Sequence, residues 1–167
     1  MALIRGNTSI GPFCKIGGEV VCSVFQGYSN KVHHGFIGHS YIGEWVNIGA
    51  GTNNSNLKNN YGQVKIFFDT EIINTQLQFM GALIGDYTRI AIGTNLNTGI
   101  YIPIGANIFD YTFKQKKIEP FSWGENQIVS FNKFVETIES MKQRRNKVVT
   151  ESEKKYLKYL YLYLKSI

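Results

Sequence analysis

The chain has 167 residues, 43% hydrophobic and 18% charged, with a net charge of +6. That length suits one core or one repeat stack with a small appendage, and the composition excludes a disordered chain. Two cysteines, Cys14 and Cys22, exclude a multi-bridge disulfide scaffold, and no Cys/His cluster has zinc-finger spacing.

Neither a leader-like apolar run nor the roughly 20 apolar residues of a membrane span occurs, so the expectation is a cytoplasmic protein with no membrane partner. The bases gather around Lys114 to Lys117 and Lys142 to Lys158, where Glu136, Glu139, Glu151 and Glu153 are mixed in. This is the pattern of a solvated helix surface, and with no recognition module present no nucleic-acid partner is expected.

From the N-terminus, Ile4, Ile10 and Ile16 recur every six residues, then Ile42 and Ile48, then Ile84, Ile90, Leu96, Ile102 and Ile108. Ile48 and Ile84 lie 36 apart, again a multiple of six. Neither a helix nor a half-buried strand has that period, whereas a solenoid that turns after each short strand does. Glycines follow the aliphatics, as in Ile10-Gly11, Ile37-Gly38 and Ile104-Gly105, where a corner needs unusual dihedrals or close approach. A β-sandwich with Gly-rich turns is the alternative. Gly17-Gly18 and the five-residue step from Ile37 to Ile42 interrupt the period and mark corners, bulges or insertions.

Between residues 53 and 69 the Asn-rich stretch beginning Asn53-Asn54-Ser55-Asn56 predicts a loop leaving the stack. Tyr61, Phe67, Phe68 and Phe79 either line a ligand groove there or pack the loop on a neighbouring subunit. After Pro120 to Gly124 the pattern turns helical: Phe131, Phe134, Val135, Ile138 and Met141 share one face, and Thr150 with Glu153 forms a capping box before Tyr156, Leu157, Leu160, Tyr161 and Leu164. Two helices are expected to cover an end or flank of the solenoid, a membrane surface being the alternative for their apolar face. The expected division is a hexapeptide-repeat solenoid over 3–118, with an insertion loop at 53–69, and a helical segment over 119–167.

The run Lys31-Val32-His33-His34-Gly35-Phe36-Ile37-Gly38, with Ile42-Gly43-Glu44-Trp45-Val46-Asn47-Ile48-Gly49-Ala50-Gly51-Thr52, resembles the C-terminal acetyltransferase domain of the bifunctional N-acetylglucosamine-1-phosphate uridyltransferase/glucosamine-1-phosphate acetyltransferase. Gly27 to Lys31, Ser55 to Gly62 and Phe121-Ser122-Trp123-Gly124 resemble most a branch of sugar nucleotidyltransferases of Bacteroidetes-like bacteria. The likeness covers most of residues 4 to 124. It implies an all-β fold, a left-handed parallel β-helix with a helical appendage. It further implies a homotrimer with sites between neighbouring subunits, and acetyl-CoA as acyl donor to an amino-sugar phosphate resembling glucosamine 1-phosphate.

By that resemblance His33 matches the catalytic His, Asn47 and Asn56 match substrate contacts, and Ala50 matches a backbone contact near the thioester. Arg5 stands as the replacement for the phosphate-binding Arg, with Lys31 beside it in a basic acceptor pocket. Phe36 and Leu57 occupy positions of substrate-binding tyrosines. The phosphate-binding Lys has no counterpart, because the extra Gly17-Gly18-Glu19-Val20 falls there. Met1-Ala2 reads as the start of an excised domain or of a stand-alone relative, since nothing before Ile10 would cradle a nucleotide.

Acetyl transfer to an amine needs a base, and a neutral imidazole suits the role near pH 7. His34 competes with His33 for it, because adjacent residues of an extended segment face opposite ways. Backbone N–H groups of Gly49-Ala50-Gly51 are candidates to stabilise the developing oxyanion. Two other readings use the same solenoid. One is a trimerising or ligand-sensing scaffold whose acetyltransferase site has decayed. The other is a zinc enzyme resembling γ-class carbonic anhydrases, with His34 and His39 as two ligands, for which no third upstream His exists. No metal is expected.

Overall fold

A computed structural model describes residues 1–68, 71–109 and 117–166. Asp69, the end of the expected loop, and Lys114 to Lys116 of the first basic group fall outside these residues. The chain winds as a three-faced parallel β-helix. Its first coil holds β1 (Ala2–Ile4), β2 (Ser9–Ile10) and β3 (Lys15–Ile16), and the second holds β4 (Gly18–Val21), β5 (Val24–Phe25) and β6 (Asn30–Lys31). In the third are β7 (Phe36–Gly38), β8 (Tyr41–Ile42) and β9 (Asn47–Ile48).

The fourth coil begins with β10 (Asn53–Asn54), departs into a hairpin of β11 (Lys65–Phe68) and β12 (Glu71–Asn74), and resumes with β13 (Leu83–Ile84) and β14 (Arg89–Ile90). Next come β15 (Asn95–Leu96), β16 (Tyr101–Ile102) and β17 (Asn107–Ile108), then β18 (Ser122–Trp123) and β19 (Gln127–Ile128). Parallel pairing stacks β2, β5, β8, β13 and β16 on the second face and β3, β6, β9, β14, β17 and β18 on the third. The first face carries β1, β4 and β7, then β10 and β15. This is the β-solenoid that the hexad period anticipates, and it is consistent with the left-handed β-helix that the resemblance implies.

The hexad aliphatics form the axis. On the second face Phe25, Ile42, Ile84 and Ile102 are paired in register and at most 1% exposed. Burying each such side chain contributes about 1.5–3 kcal/mol relative to leaving it exposed. Ile4 and Ile10, at 42% and 43% exposed, lack a coil beneath them.

The stretch 17–20, which the sequence marks as an interruption, folds into β4, an ordinary member of the first face with Val20 wholly buried. Asn53 and Asn54, expected in a loop, instead continue the coil. Their side chains replace the ladder to β7: Phe36 N–H donates to Asn53 Oδ1 at 2.9 Å, and Gly38 N–H donates to Asn54 Oδ1 at 2.7 Å. The chain leaves the coil only after them.

At most corners one residue per coil has positive φ, and side-chain type divides the corners. Between the second and third faces five of the six positions are aromatic, Phe13, Tyr28, Trp45, Tyr87 and Phe121, with φ from 56° to 60°, and the fifth coil has Gly105. Bulky residues are uncommon in that region. Here stacking accompanies the strain, with Phe13 on Tyr28 at 4.8 Å and Tyr28 on Trp45 at 4.3 Å.

On that aromatic corner pack α1 (Phe131–Gln143) and α2 (Glu151–Leu164), through Phe134, Ile138, Leu157 and Tyr161. Thr150 caps α2 as expected, its hydroxyl accepting from Glu153 N–H at 3.2 Å. The helices therefore cover a flank with much of their apolar surface. Among the described residues no helix is long and apolar enough to cross a membrane.

Candidate active-site corner

The corner between the third and first faces is lined by glycine. Gly18, Gly35, Gly51 and Gly93 hold its positive-φ positions in successive coils. Gly35, at φ 121°, is required: a Cβ there would lie 2.2 Å from the Thr52 carbonyl oxygen. At Gly93 a Cβ would meet nothing within 4 Å. These four positions carry no side chain, and they lie on a different corner from the one α1 and α2 cover.

His33, His34, Ala50 and Gly51 gather at this corner. Gly51 N–H donates to the His34 carbonyl at 3.0 Å, locking the two turns together. Gly49 N–H is also taken, by Ile90 O at 2.9 Å, while Gly93 N–H donates to Ala50 O at 2.7 Å. Of the three backbone donors singled out in the sequence, the Ala50 N–H alone has no acceptor among the described residues. The His34 ring stands over Gly51, its Nε2 3.4 Å from where a Cβ on that glycine would lie. His33 is exposed, and its ring makes no hydrogen bond among the described residues.

Lys31 is not at the surface. It takes the inward position of β6, paired with Ile16, and is 1% exposed. Its ammonium donates to the carbonyls of His33 at 2.6 Å, His34 at 3.1 Å and Gly17 at 3.3 Å. Burial pulls its pKa below the usual lysine value. In place of the substrate contact expected from the resemblance, Lys31 braces the turn that carries both histidines.

The remaining candidates lie apart. Asn47 projects outward from the third face and accepts from Asn30 Nδ2 at 3.5 Å. Asn56 lies by the first face, its amide nitrogen 2.8 Å from His39 Nδ1, and His39 stacks on Phe79 at 5.2 Å. Burial lowers the His39 pKa, which keeps the ring neutral and able to accept from the amide. Arg5, in the first coil, is exposed and pairs with Glu19 at 3.0 Å.

Leu57 bridges to Phe79, and Phe68 packs on Tyr101 at 4.8 Å. The loop aromatics thus have separate partners within the chain, while Tyr61 is 69% exposed. His34 and His39 occupy different corners, and among the described residues no three His, Cys, Asp or Glu side chains converge as a metal site would need. Both cysteines are free thiols.

Sequence reasoning passed over Arg89 and Arg145. Arg89 pairs in register with Asn47, and Arg145 reaches Asn30 Oδ1 at 2.8 Å from just beyond α1. The hexad period alone places Arg89, 42 residues after Asn47, at the same outward position; nothing local places Arg145 there.

No family model matches the chain. It is 35% identical over 97 residues to a bifunctional sugar-1-phosphate nucleotidylyltransferase/acetyltransferase of Sulfurisphaera tokodaii, covering 57% of the chain and 24% of that protein. It is 32% identical over 102 residues to the bifunctional protein GlmU of Buchnera aphidicola, covering 60% of the chain and 22% of the relative. Against the bifunctional protein GlmU of Rippkaea orientalis the identity is 42% over 55 residues, or 32% of the chain and 12% of the relative. The matched segments thus span a quarter or less of each relative.

Proposed function

We propose that this chain is an acetyltransferase domain that N-acetylates an amino-sugar phosphate resembling glucosamine 1-phosphate with acetyl-CoA as donor. The observation that carries this reading is the glycine-lined corner, where the Ala50 N–H without an acceptor lies beside the His33-His34 turn. The name of one relative, a bifunctional sugar-1-phosphate nucleotidylyltransferase/acetyltransferase, supports the same class.

Acetyl-CoA supplies an activated thioester. In this reading the His33 imidazole takes the proton from the amine as its nitrogen attacks, and returns it to the departing thiolate. The Ala50 N–H donates to the thioester oxygen as negative charge develops there. Gly93, where a Cβ would meet nothing within 4 Å, leaves room for a pantetheine arm along this corner. Asn47 and Asn56 hold sugar hydroxyls. Because they lie on different faces of one chain, a complete site draws one of them from a neighbouring copy, in keeping with a homotrimer. Lys31 acts from inside, through the turn it braces.

The placement of the His34 ring over Gly51 favours a second assignment of the base, to His34. A decayed scaffold is the competing function. The helices pack on the aromatic corner and not on the glycine-lined one, which supports the enzyme, since helices blocking the glycine-lined corner would favour a scaffold. The test is CoA thiol release with acetyl-CoA and glucosamine 1-phosphate for the parent chain, His33→Ala and His34→Ala. Loss of release in His33→Ala alone supports the assignment, and loss in His34→Ala alone moves the base to His34. A folded parent chain that releases no thiol with any amino-sugar phosphate is a scaffold.

A further inference from the structure

On the third face Lys15, Asn30, Asn47 and Arg89 occupy one outward register through four successive coils. The end of α1 folds over that column and brings Met141, Arg144 and Arg145 against it. Between them lies a cavity of about 270 Å³, with Tyr28 and Trp45 in its wall. Four of its lining residues are cations and no carboxylate lines it.

These cations are held in place by neutral groups. Arg145 donates from Nη2 to Asn30 Oδ1 at 2.8 Å and from Nη1 to Phe13 O at 3.5 Å. Arg89 donates from Nε to Asn107 Oδ1 at 2.8 Å and from Nη1 to Met141 Sδ at 4.0 Å. Among the described residues none of Lys15, Arg89, Arg144 and Arg145 forms an ion pair, although the chain forms them elsewhere, at Lys142 with Glu153 and at Lys154 with Glu139. Neutral anchors fix the Arg89 and Arg145 guanidinium groups while leaving their charge uncompensated and further N–H donors free, since each has five. Partial burial disfavours the Arg89 charge further. Cations near the carboxyl end of α1 would by themselves complement its dipole. Lys15 and Arg89 belong to the sheet and answer no helix terminus.

We infer that this cavity is an anion subsite that holds the phosphate or diphosphate group of a small phosphorylated ligand. Bidentate guanidinium contacts suit phosphate oxygens, and three arginines with a lysine suit a dianion or trianion better than a carboxylate. The choice of ligand rests on the acetyltransferase reading, in which Asn47 touches substrate. That reading offers two sources of the same chemistry: the phosphate of the sugar acceptor and the phosphates of the CoA donor. The subsite answers the missing phosphate-binding lysine with cations from another face and from the helical segment.

The test is calorimetric titration of the whole chain with inorganic pyrophosphate, glucosamine 1-phosphate, CoA and, as the phosphate-free control, glucosamine. Parent protein is compared with Arg89→Gln and with Lys15→Gln/Arg144→Gln, whose two positions are exposed and leave the fold intact. Saturable pyrophosphate binding, weakened tenfold or more in both variants and absent for glucosamine, is expected. Competition by glucosamine 1-phosphate assigns the subsite to the acceptor, and competition by CoA assigns it to the donor. No saturable binding to the parent, or equal affinity in the double variant, overturns the subsite. Pyrophosphate binding without any acetyl transfer overturns the enzyme reading and leaves the subsite standing.

Discussion

The Lys31 ammonium lies 2.6 Å from the carbonyl oxygen of His33, reaching it from within the aliphatic axis of the solenoid. A charge stands where every other coil of that face between Ile48 and Ile108 has isoleucine, and three carbonyls around it supply the solvation that water would give.

Replacing Lys31 with Met keeps the volume and removes the donor. Leaving buried carbonyls without partners costs about 1–3 kcal/mol per unsatisfied group. Chemical denaturation of Lys31→Met is therefore expected to show a loss of that order, despite a more apolar core. A variant as stable as the parent would show that the turn holds itself.

The open space beside Gly93 predicts a separation of kinetic effects. Gly93→Ala places a methyl in open space, with about 1–2 kcal/mol of strain from its positive φ. The expected result is a higher KM for acetyl-CoA at little change in kcat, read in the thiol-release assay. Gly35→Ala, whose Cβ would overlap the Thr52 carbonyl, is expected to abolish the fold, seen as loss of the cooperative thermal transition.

Where α1 meets α2, the Glu153 carboxylate accepts from Lys142 and from Tyr87 at 2.7 Å. Burial pushes its pKa up, and the hydrogen bonds and the Lys142 charge together outweigh that, holding it below the usual carboxylate value. The same contact and burial push the Tyr87 phenol up. A depressed folded-state pKa contributes stability above the unfolded-state pKa, and that contribution is lost as pH falls through the folded value. Glu153→Gln is expected to cost about 1.5–3 kcal/mol near neutral pH, the worth of a hydrogen bond to a charged group. The gap between variant and parent in denaturation free energy should close as pH falls below about 4.5.

Phe134 inserts between Tyr87 and Phe121, with ring centroids 5.9 and 5.0 Å away, and is fully buried. Truncation to Ala is expected to cost about 3–5 kcal/mol. Far-UV circular dichroism should show helix content lost ahead of the solenoid, since the helices meet it mainly through this cluster. An unchanged helix signal and midpoint would mean that α1 docks by other contacts.

Much of the scaffold was legible without coordinates. A six-residue aliphatic period has one physical solution, a coil that turns after each short strand, and side-chain burial then follows residue by residue. Both helices and the Thr150 cap follow from local pattern, because capping and amphipathic spacing involve residues within one turn of each other.

Tertiary structure decided what lies between coils and between segments. Lys31 reads as a surface base until the axis closes around it, and Asn53 and Asn54 read as loop until their amides bridge to β7. No local rule puts the end of α1 over Asn47, because that position depends on an aromatic corner assembled from five coils. Period and propensity act over a few neighbouring residues, whereas charge placement and the open corner depend on chain segments tens of residues apart, which only packing brings together.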